Sequence, residues 1–300
     1  TVTFEDILDA DVLILVGTNI TETNPITGLK VKEAAKKRQA TLITIESLEP
    51  VVDTMSNIAN LSHHHFRIPT SDTHHAIVGL VKAVLEQNLT QPDLAQRHPT
   101  YFNAMTRALQ QISWQELQAA TGVEPEAYVR AAKAAAGARR VVIVAGQLLL
   151  RSEQGYSGCL TLLDLLLLTG KLDEPGCGFA PLAEENNDQG AVEMGTVTEF
   201  LPGAQPITSG TEREKIAKQW KSELPTDKGA SLIEMLERAN AKSLKAMFIV
   251  GENPVGSLPA AIQAETSLRN LDLLVCQELF LTETAALAHV VLPAASSLEK

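Results

Sequence analysis

Val12-Leu13-Ile14-Leu15-Val16-Gly17-Thr18-Asn19, followed after a Lys- and Ala-rich interval by Thr41-Leu42-Ile43-Thr44-Ile45-Glu46, decides how the chain is read. Five consecutive apolar residues closed by a glycine show no alternation. Such a run suits a strand buried on both faces, as in a parallel sheet. Thr18–Pro25 reads as a loop and Gly28–Gln39 as a helix. Strand, helix and strand form a βαβ unit, whose crossover is right-handed.

Working outward, His65-Phe66-Arg67-Ile68 is expected to be a third strand, ended by Pro69. Ser71-Asp72-Thr73 is placed to cap a helix running to about Gln87. Helices are expected near Tyr101–Gln111, Ser113–Ala120 and Pro125–Ala136, the last with proline in its first turn. Val141–Ala145 is another buried strand, ended by Gly146. Gly155–Thr169 is an apolar helix with Gly170 at its C-terminal cap. Asp173–Gly178 is a Gly/Pro turn, and Pro181–Ser209 is loop-rich. Helices are expected at Lys215–Lys221, Ser231–Ala241 and Pro259–Leu268, and strands at Ala246–Val250, Leu271–Cys276 and His289–Leu292. The fold class is α/β, with two Rossmann-like, doubly wound parallel-sheet domains, 1–185 and 186–300, the second incomplete.

The two halves echo each other. Val12–Pro25 runs strand, Gly17-Thr18-Asn19, proline; Ala246–Pro259 runs strand, Gly251-Glu252-Asn253-Pro254, proline. Each is followed by a helix and a strand ending near an acid, Glu46 or Glu278. Any doubly wound protein repeats strand, glycine and helix, so that bland account stands beside a duplicated nucleotide-sized site.

A formal net charge of -11, from 25 basic and 36 acidic side chains, argues against nucleic-acid binding. The longest apolar stretch, Leu160–Leu168, is too short for a bilayer, so a soluble, cytoplasmic chain is expected, peripheral to a membrane only through partners. Cys159, Cys177 and Cys276 form no CxxC pair and no disulfide framework, and so no four-cysteine iron–sulfur site. Cys159 and Cys276 sit in apolar segments and read as buried core thiols. Neither end carries an initiator Met or a stop pattern, and both read as cuts through a longer polypeptide.

In open parallel sheets, ligands bind beyond the carboxyl ends of the strands. Gly17, Gly146 and Gly251 stand there, where glycine permits a sharp turn and a close backbone approach. Asn19 and Asn253 add short polar groups, and Glu46 or Glu278 is placed to bind ribose hydroxyls or a guanine edge. No GxGxxG fingerprint and no P-loop lysine is present. His63 and His65 would share one face of a strand, but no third ligand completes a metal site. The polar run Glu184–Gly190 either lines a cavity or is an ordinary surface loop. No GxSxG elbow supports a hydrolase.

In order along the chain, four stretches resemble the molybdopterin oxidoreductase family. They are Asp9–Val12 through Gly17-Thr18-Asn19 to Asn24-Pro25; Leu168–Lys171 with Pro175–Gly178; Pro181-Leu182 with Asn186-Asn187, Gln189-Gly190-Ala191, Met194-Gly195 and Leu201–Gly203; and Gly251–Pro254 with Gln277–Ala285 and Val290–Ala294. The branches it resembles most are the formate dehydrogenase large subunit and the large iron–sulfur subunit of NADH-quinone oxidoreductase (complex I). The resemblance implies two Rossmann-like domains, each holding one guanine dinucleotide of a bis-molybdopterin cofactor. Gly17, Asn19, Glu46 and Asp72 would serve one dinucleotide, and Gly251, Asn253 and Glu278 the other. Gln147 and Asn187 would face the pterin. No catalytic residue and no metal ligand is assigned here. The family's cluster cysteines and its metal-ligating Cys or selenocysteine would lie upstream, and a closing barrel downstream.

The departures bear on function. Where formate dehydrogenases carry Arg-Gly-Gln, this chain has Ala183-Glu184-Glu185, exchanging an anion-binding cation for two carboxylates. Asp-Pro-Arg has become Glu46-Ser47-Leu48, and Pro-Gly-Thr-Asp has become Pro69-Thr70-Ser71-Asp72. The expectation is therefore a scaffold segment of an electron-transfer subunit like the large iron–sulfur subunit of complex I, inactive by itself. It would stand beside other subunits of a respiratory or formate-oxidising complex. The alternatives are a catalytic molybdenum or tungsten formate dehydrogenase subunit and a non-redox nucleotide-binding or interaction module.

Overall fold

The computed structural model describes residues 2–47, 58–183 and 187–299. Leu48 and the Glu184-Glu185-Asn186 run lie outside them. The chain forms two compact units, 1–186 and 187–300.

The first unit begins with α1 (Phe4–Asp9), held by a Thr3/Asp6 capping box, and β1 (Val12–Val16). The expected loop after β1 contains a short helix, α2 (Ile20–Thr23). Helix α3 (Pro25–Lys37) starts three residues before the expected Gly28, because Pro25 occupies its first turn, where a missing N–H costs nothing. Then follow β2 (Thr41–Ser47), β3 (His64–Ile68) and α4 (Thr73–Glu86). Asp72 is the N-cap residue of α4 but makes no capping hydrogen bond; a 3₁₀ turn, Thr70–Asp72, leads into the helix instead. Next come α5 (Leu94–Arg97), α6 (Pro99–Gln111), α7 (Trp114–Thr121) and α8 (Pro125–Gly137). The unit ends with β4 (Val141–Ala145), α9 (Gln147–Leu150), α10 (Gly155–Leu168) and β5 (Gly178–Pro181). The strand β5 and the single turn α9 were not expected; four residues carry too little periodicity to show in a sequence.

All five strands are parallel, in the order β3-β2-β1-β4-β5. Chain order reverses between β1 and β4, and at such a switch point the connections leave on opposite faces and open a crevice. Side chains alternate across the sheet. Ile14, Val16, Ile43 and Ile143 pack with α4, α8 and α10, whereas Leu13, Leu15, Leu42 and Val144 pack with α1 and α3. Burial on both faces is why β1 and β4 read as unbroken apolar runs.

The second unit holds α11 (Asp188–Glu193), β6 (Phe200–Leu201) antiparallel to β7 (Gln205–Pro206), α12 (Gly210–Trp220) and α13 (Leu232–Asn240). Helix α12 begins five residues before the expected Lys215. Then come β8 (Ala246–Val250), α14 (Pro254–Ser257), α15 (Ala261–Arg269), β9 (Leu273–Glu278), α16 (Glu283–Ala286) and β10 (Val290–Pro293). The strands β8, β9 and β10 form a three-stranded parallel sheet in the order β10-β9-β8. Its core joins Ile249, Leu274 and Cys276 to Leu236, Ala264 and Leu268. Cys276 is buried as expected, but Cys159 is only half-buried, standing on α10 between the buried Gly158 and the exposed Leu160. Among the described residues no helix is long and apolar enough to cross a membrane.

Candidate functional site

The first unit gathers its candidate residues at the carboxyl ends of its strands. Gly17 ends β1 with a φ of +59°, and its N–H donates to the carbonyl of Ile45 at 2.9 Å. A Cβ on Gly17 would lie 2.7 Å from the backbone nitrogen of Leu149. A Cβ on Gly146, at the end of β4, would lie 2.3 Å from the Thr18 Cβ. The two glycines let the loops after β1 and β4 meet at the switch point, and Leu148 N–H seals them by donating to the Gly17 carbonyl at 3.1 Å.

Thr18 is 8% exposed, and its Oγ1 has no hydrogen-bond partner among the described residues. A buried hydroxyl left unpaired costs free energy, so such a group calls for an explanation. The sequence reading passed over Thr18; its place between Gly17 and Asn19 was the available signal. Asn19 caps α2 through its carbonyl, which accepts from Glu22 and Thr23, and its Oδ1 accepts from the Thr21 hydroxyl at 3.2 Å.

Glu46, next to last in β2, lies opposite Arg67 in the register, and its Oε2 lies 3.3 Å from His65 Nε2. Asp72 accepts from the Ser71 hydroxyl at 2.8 Å. Its Oδ1 lies 3.0 Å from His75 Nδ1, in a geometry that makes no hydrogen bond. Gln147, just past β4, donates from Nε2 to the Leu182 carbonyl at 2.7 Å. Its amide thus ties the loop after β5 to the end of β4.

In the second unit, Gly251 ends β8 with a φ of +64°, and its N–H donates to the Gln277 carbonyl at 3.0 Å. Asn253 Oδ1 accepts from both Thr284 N–H, at 3.1 Å, and Thr284 Oγ1, at 2.8 Å. Asn253 Nδ2 donates to Glu283 Oε2 at 2.8 Å. The side chain expected to meet a ligand is thus engaged in holding the loop after β9. Glu283 is held below the usual carboxylate range, first by its own backbone N–H and then by Asn253. Thr284 and Glu283 were not singled out from the sequence, although they lie in the Gln277–Ala285 stretch of the family resemblance. Glu278 accepts the Leu279 N–H at 2.7 Å. Asn187 sits in the left-handed region, φ 62°, ahead of α11, and its amide occupies the space that a Cβ on Gly190 would need.

The two units match residue by residue. Gly17 and Gly251 make the same bond to the neighbouring strand, Asn19 and Asn253 each cap a one-turn helix through the carbonyl, and Glu46 and Glu278 follow the strand residue that receives the glycine N–H. The echo between the halves is therefore a repeat in hydrogen bonding. Among the described residues no group of three His, Cys, Asp or Glu is placed to hold a metal ion. Burial raises the thiols of Cys159 and Cys276, so neither is poised as a nucleophile, and Cys177 Sγ accepts the Val141 N–H at 3.3 Å.

The family model for molybdopterin oxidoreductases matches residues 1–300. The chain belongs to the molybdopterin oxidoreductase family. Among its relatives, this family member is 29% identical to the "F420-dependent formate dehydrogenase subunit alpha" of Methanocaldococcus jannaschii, covering 99% of this chain and 42% of that protein. It is 32% identical to the "Assimilatory nitrate reductase catalytic subunit" of Bacillus subtilis, covering 98% of this chain and 41% of that protein. It is 27% identical to "Formate dehydrogenase H" of Escherichia coli, covering 97% and 40%. In fold it is similar to the solved "Acetylene Hydratase from Pelobacter acetylenicus", with a TM-score of 0.71, 19% identity, and coverage of 100% of this chain and 42% of that one. This molybdopterin-oxidoreductase chain spans about two-fifths of the length of the relatives it matches.

Proposed function

We propose that this chain is the dinucleotide-cradling part of the catalytic subunit of a molybdenum or tungsten oxidoreductase of the formate dehydrogenase type. The observation that carries the reading is the Thr18 hydroxyl, buried and unpaired at the switch point between Gly17 and Gly146. A switch point of this kind places a crevice beyond the strand ends, and an unsatisfied polar group there suits a ligand that brings its own donors and acceptors, as the sugar-phosphate of a guanine dinucleotide does. Around it, Asn19, Glu46 and Asp72 would meet ribose hydroxyls or the guanine edge. Gly251 and Glu278 would serve the second dinucleotide, with Asn253 contributing by fixing the Thr282–Thr284 loop. Gln147 and Asn187 would face the pterin. That group would bring the redox metal; iron–sulfur clusters and metal ligands would come from polypeptide outside these residues. Partner subunits would be those of a formate-oxidising or respiratory complex.

A scaffold like the large iron–sulfur subunit of NADH-quinone oxidoreductase, ranked first from the sequence, becomes the second reading. Its support is Ala183-Glu184-Glu185 in the place of Arg-Gly-Gln. The relatives named as formate dehydrogenase subunits put the catalytic reading ahead of it. Molybdenum and tungsten analysis of the natively purified protein, with pterin fluorescence after oxidation, separates them. About one metal per chain with pterin is the expected result. Absence of both from natively purified protein would sink the catalytic reading and leave the scaffold.

A further inference from the structure

Helix α3 buries Thr27, Gly28, Val31 and Ala34 against the first unit. Along its outer side, at intervals of three and four, stand Ile26, Leu29, Lys30, Glu33, Lys36 and Lys37. Lys32 flanks them, three residues from Leu29 and four from Lys36. In a chain of formal net charge -11, this helix sets four lysines against Glu33 alone. Its first turns are apolar yet open to solvent, Ile26 at 58% and Leu29 at 60%. Glu33 is taken by Lys37, at 3.1 Å. Among the described residues no carboxylate lies within ion-pair distance of Lys30, Lys32 or Lys36.

The fold does not require these charges. Helix α15 holds the same place in the second unit, following β8 after a one-turn helix as α3 follows β1. Its charged residues, Glu265 and Arg269, pair with each other at 2.7 Å. Stability does not account for the lysines either. Lys36 and Lys37 sit in the last turn, where cations complement the helix dipole. Lys30 and Lys32 sit mid-helix, and Lys32 repels Lys36 four residues on. Ile26 and Leu29 lie outside both apolar cores of the first unit.

We infer that the outer face of α3 docks a second protein, through a patch of that protein in which carboxylates surround an apolar contact. Ile26 and Leu29 meet the apolar centre, and Lys30, Lys32 and Lys36 pair with Asp or Glu around it. An apolar centre within a polar rim is the common anatomy of protein interfaces. The lysines steer the encounter and reject partners of the wrong charge. Nucleic acid is disfavoured by the acidic chain as a whole. A helix that lies on a membrane turns its broad apolar face to the lipid, whereas the broad apolar face of α3 is turned to the sheet. A second copy facing this surface symmetrically would set lysine against lysine. Nothing in this contact depends on what the crevice at β1 and β4 binds.

Zero-length carbodiimide cross-linking of the natively purified protein, read by mass spectrometry, tests this, because it joins lysine amines only to carboxylates in direct contact. Links from Lys30, Lys32 or Lys36 to Asp or Glu of a different polypeptide are expected. They should be lost at about 1 M salt, where charges are screened beyond about 3 Å. The triple variant Lys30→Glu, Lys32→Glu, Lys36→Glu is expected to elute from gel filtration without that polypeptide, its unfolding midpoint and its metal and pterin content unchanged. The corresponding triple variant to Arg, which keeps the charge, is expected to retain it. No links from these lysines, or links only within this polypeptide or to a second copy of it, would overturn the inference. So would a Glu variant that keeps the partner, or an Arg variant that loses it. Binding to vesicles of anionic phospholipid that the Glu variant abolishes, with no second protein linked, would make a membrane the occupant and overturn it as well.

Discussion

His63 accepts the backbone N–H of Leu42 on its Nδ1, at 3.1 Å, while its own N–H donates to the Leu42 carbonyl at 2.9 Å. His289 repeats both bonds with Leu274, at 3.0 and 2.9 Å. In each unit an imidazole extends the ladder by one acceptor where the third strand begins. Leu42 is fully buried, so an unpaired N–H there costs about 1–3 kcal/mol. His63→Ala is expected to lower stability by about that amount in urea unfolding, and His63→Asn, whose Oδ1 offers an acceptor at similar reach, to recover most of the loss. Equal losses in the two variants would show that the ring's packing, and not its acceptor, matters.

Lys82 lies inside the first unit with its side chain 7% exposed, yet its charge is met on three sides. Nζ is 2.8 Å from Glu86 Oε1, donates to the Leu109 carbonyl at 3.0 Å, and stands 5.6 Å from the Trp114 ring centre. Trp114 Nε1 donates to Glu86 Oε2 at 2.7 Å. Burial pushes the Glu86 carboxyl up, but the bonds from Lys82 and Trp114 outweigh it and hold the group below its ordinary value. A carboxyl depressed in the folded state lends stability that is present above its unfolded value, about 4.3, and lost as pH falls through the folded value. Glu86→Ala strands the ammonium and is expected to cost about 1–3 kcal/mol, less than for a fully buried pair because Glu86 is half-exposed. Lys82→Met is expected to be near neutral, since an apolar isostere needs no partner. Chemical denaturation at pH 7 and pH 4 checks both, and a larger loss for Lys82→Met than for Glu86→Ala would refute the account.

Tyr101 on α6 donates to Asp164 on α10. Burial raises the phenol, and its bond to Asp164 raises it further. The Asp164 carboxyl is itself raised by burial, against the lowering effect of that bond. A phenol raised in the folded state lends stability that is full below its unfolded value, about 10, and lost as pH rises through the folded value. Tyr101→Phe is expected to cost about 1 kcal/mol at neutral pH and to flatten the decline in stability above about pH 10. It should also move Asp164 further up, seen as a higher carboxyl titration by NMR. An unchanged alkaline limb would mean that other groups govern it.

Much of this was legible because burial on both faces writes itself as apolar runs: Val12–Val16 and Val141–Ala145 were read with their observed limits, as was the equally apolar Ala246–Val250, of which only Ile249 is buried. Ser113 with Glu116 and Ser231 with Glu234 form capping boxes where those two helices were expected to start, whereas the cap expected at Ser71-Asp72-Thr73 makes no side-chain bond. The one-turn helices after Gly17, Gly146 and Gly251 were not legible, because four residues hold no period and depend on tertiary bonds such as Leu148 N–H to the Gly17 carbonyl. Asn253 was read as a polar group at a strand end, correctly in position. Its attachment to Thr284, thirty-one residues on, follows from the register of β8 on β9, which no local pattern contains.

The crevice at β1 and β4 sets stability against binding. Thr18→Val keeps the shape of the side chain and removes only the unpaired hydroxyl. Deleting a buried polar group that has no partner removes its desolvation penalty, so the variant is expected to be as stable as the parent or up to about 1 kcal/mol more stable. If the hydroxyl waits for a ligand, the same variant should retain several-fold less pterin and metal after gel filtration. Gly17→Ala forms the contrast. A φ of +59° and a backbone nitrogen 2.7 Å from the added methyl are expected to cost about 1–2 kcal/mol for the conformation alone, with the clash in addition. That variant should lose stability and cofactor together. A Thr18→Val protein that is destabilised by more than about 1 kcal/mol, or that keeps its full cofactor load, would show that the hydroxyl serves the fold and not a ligand.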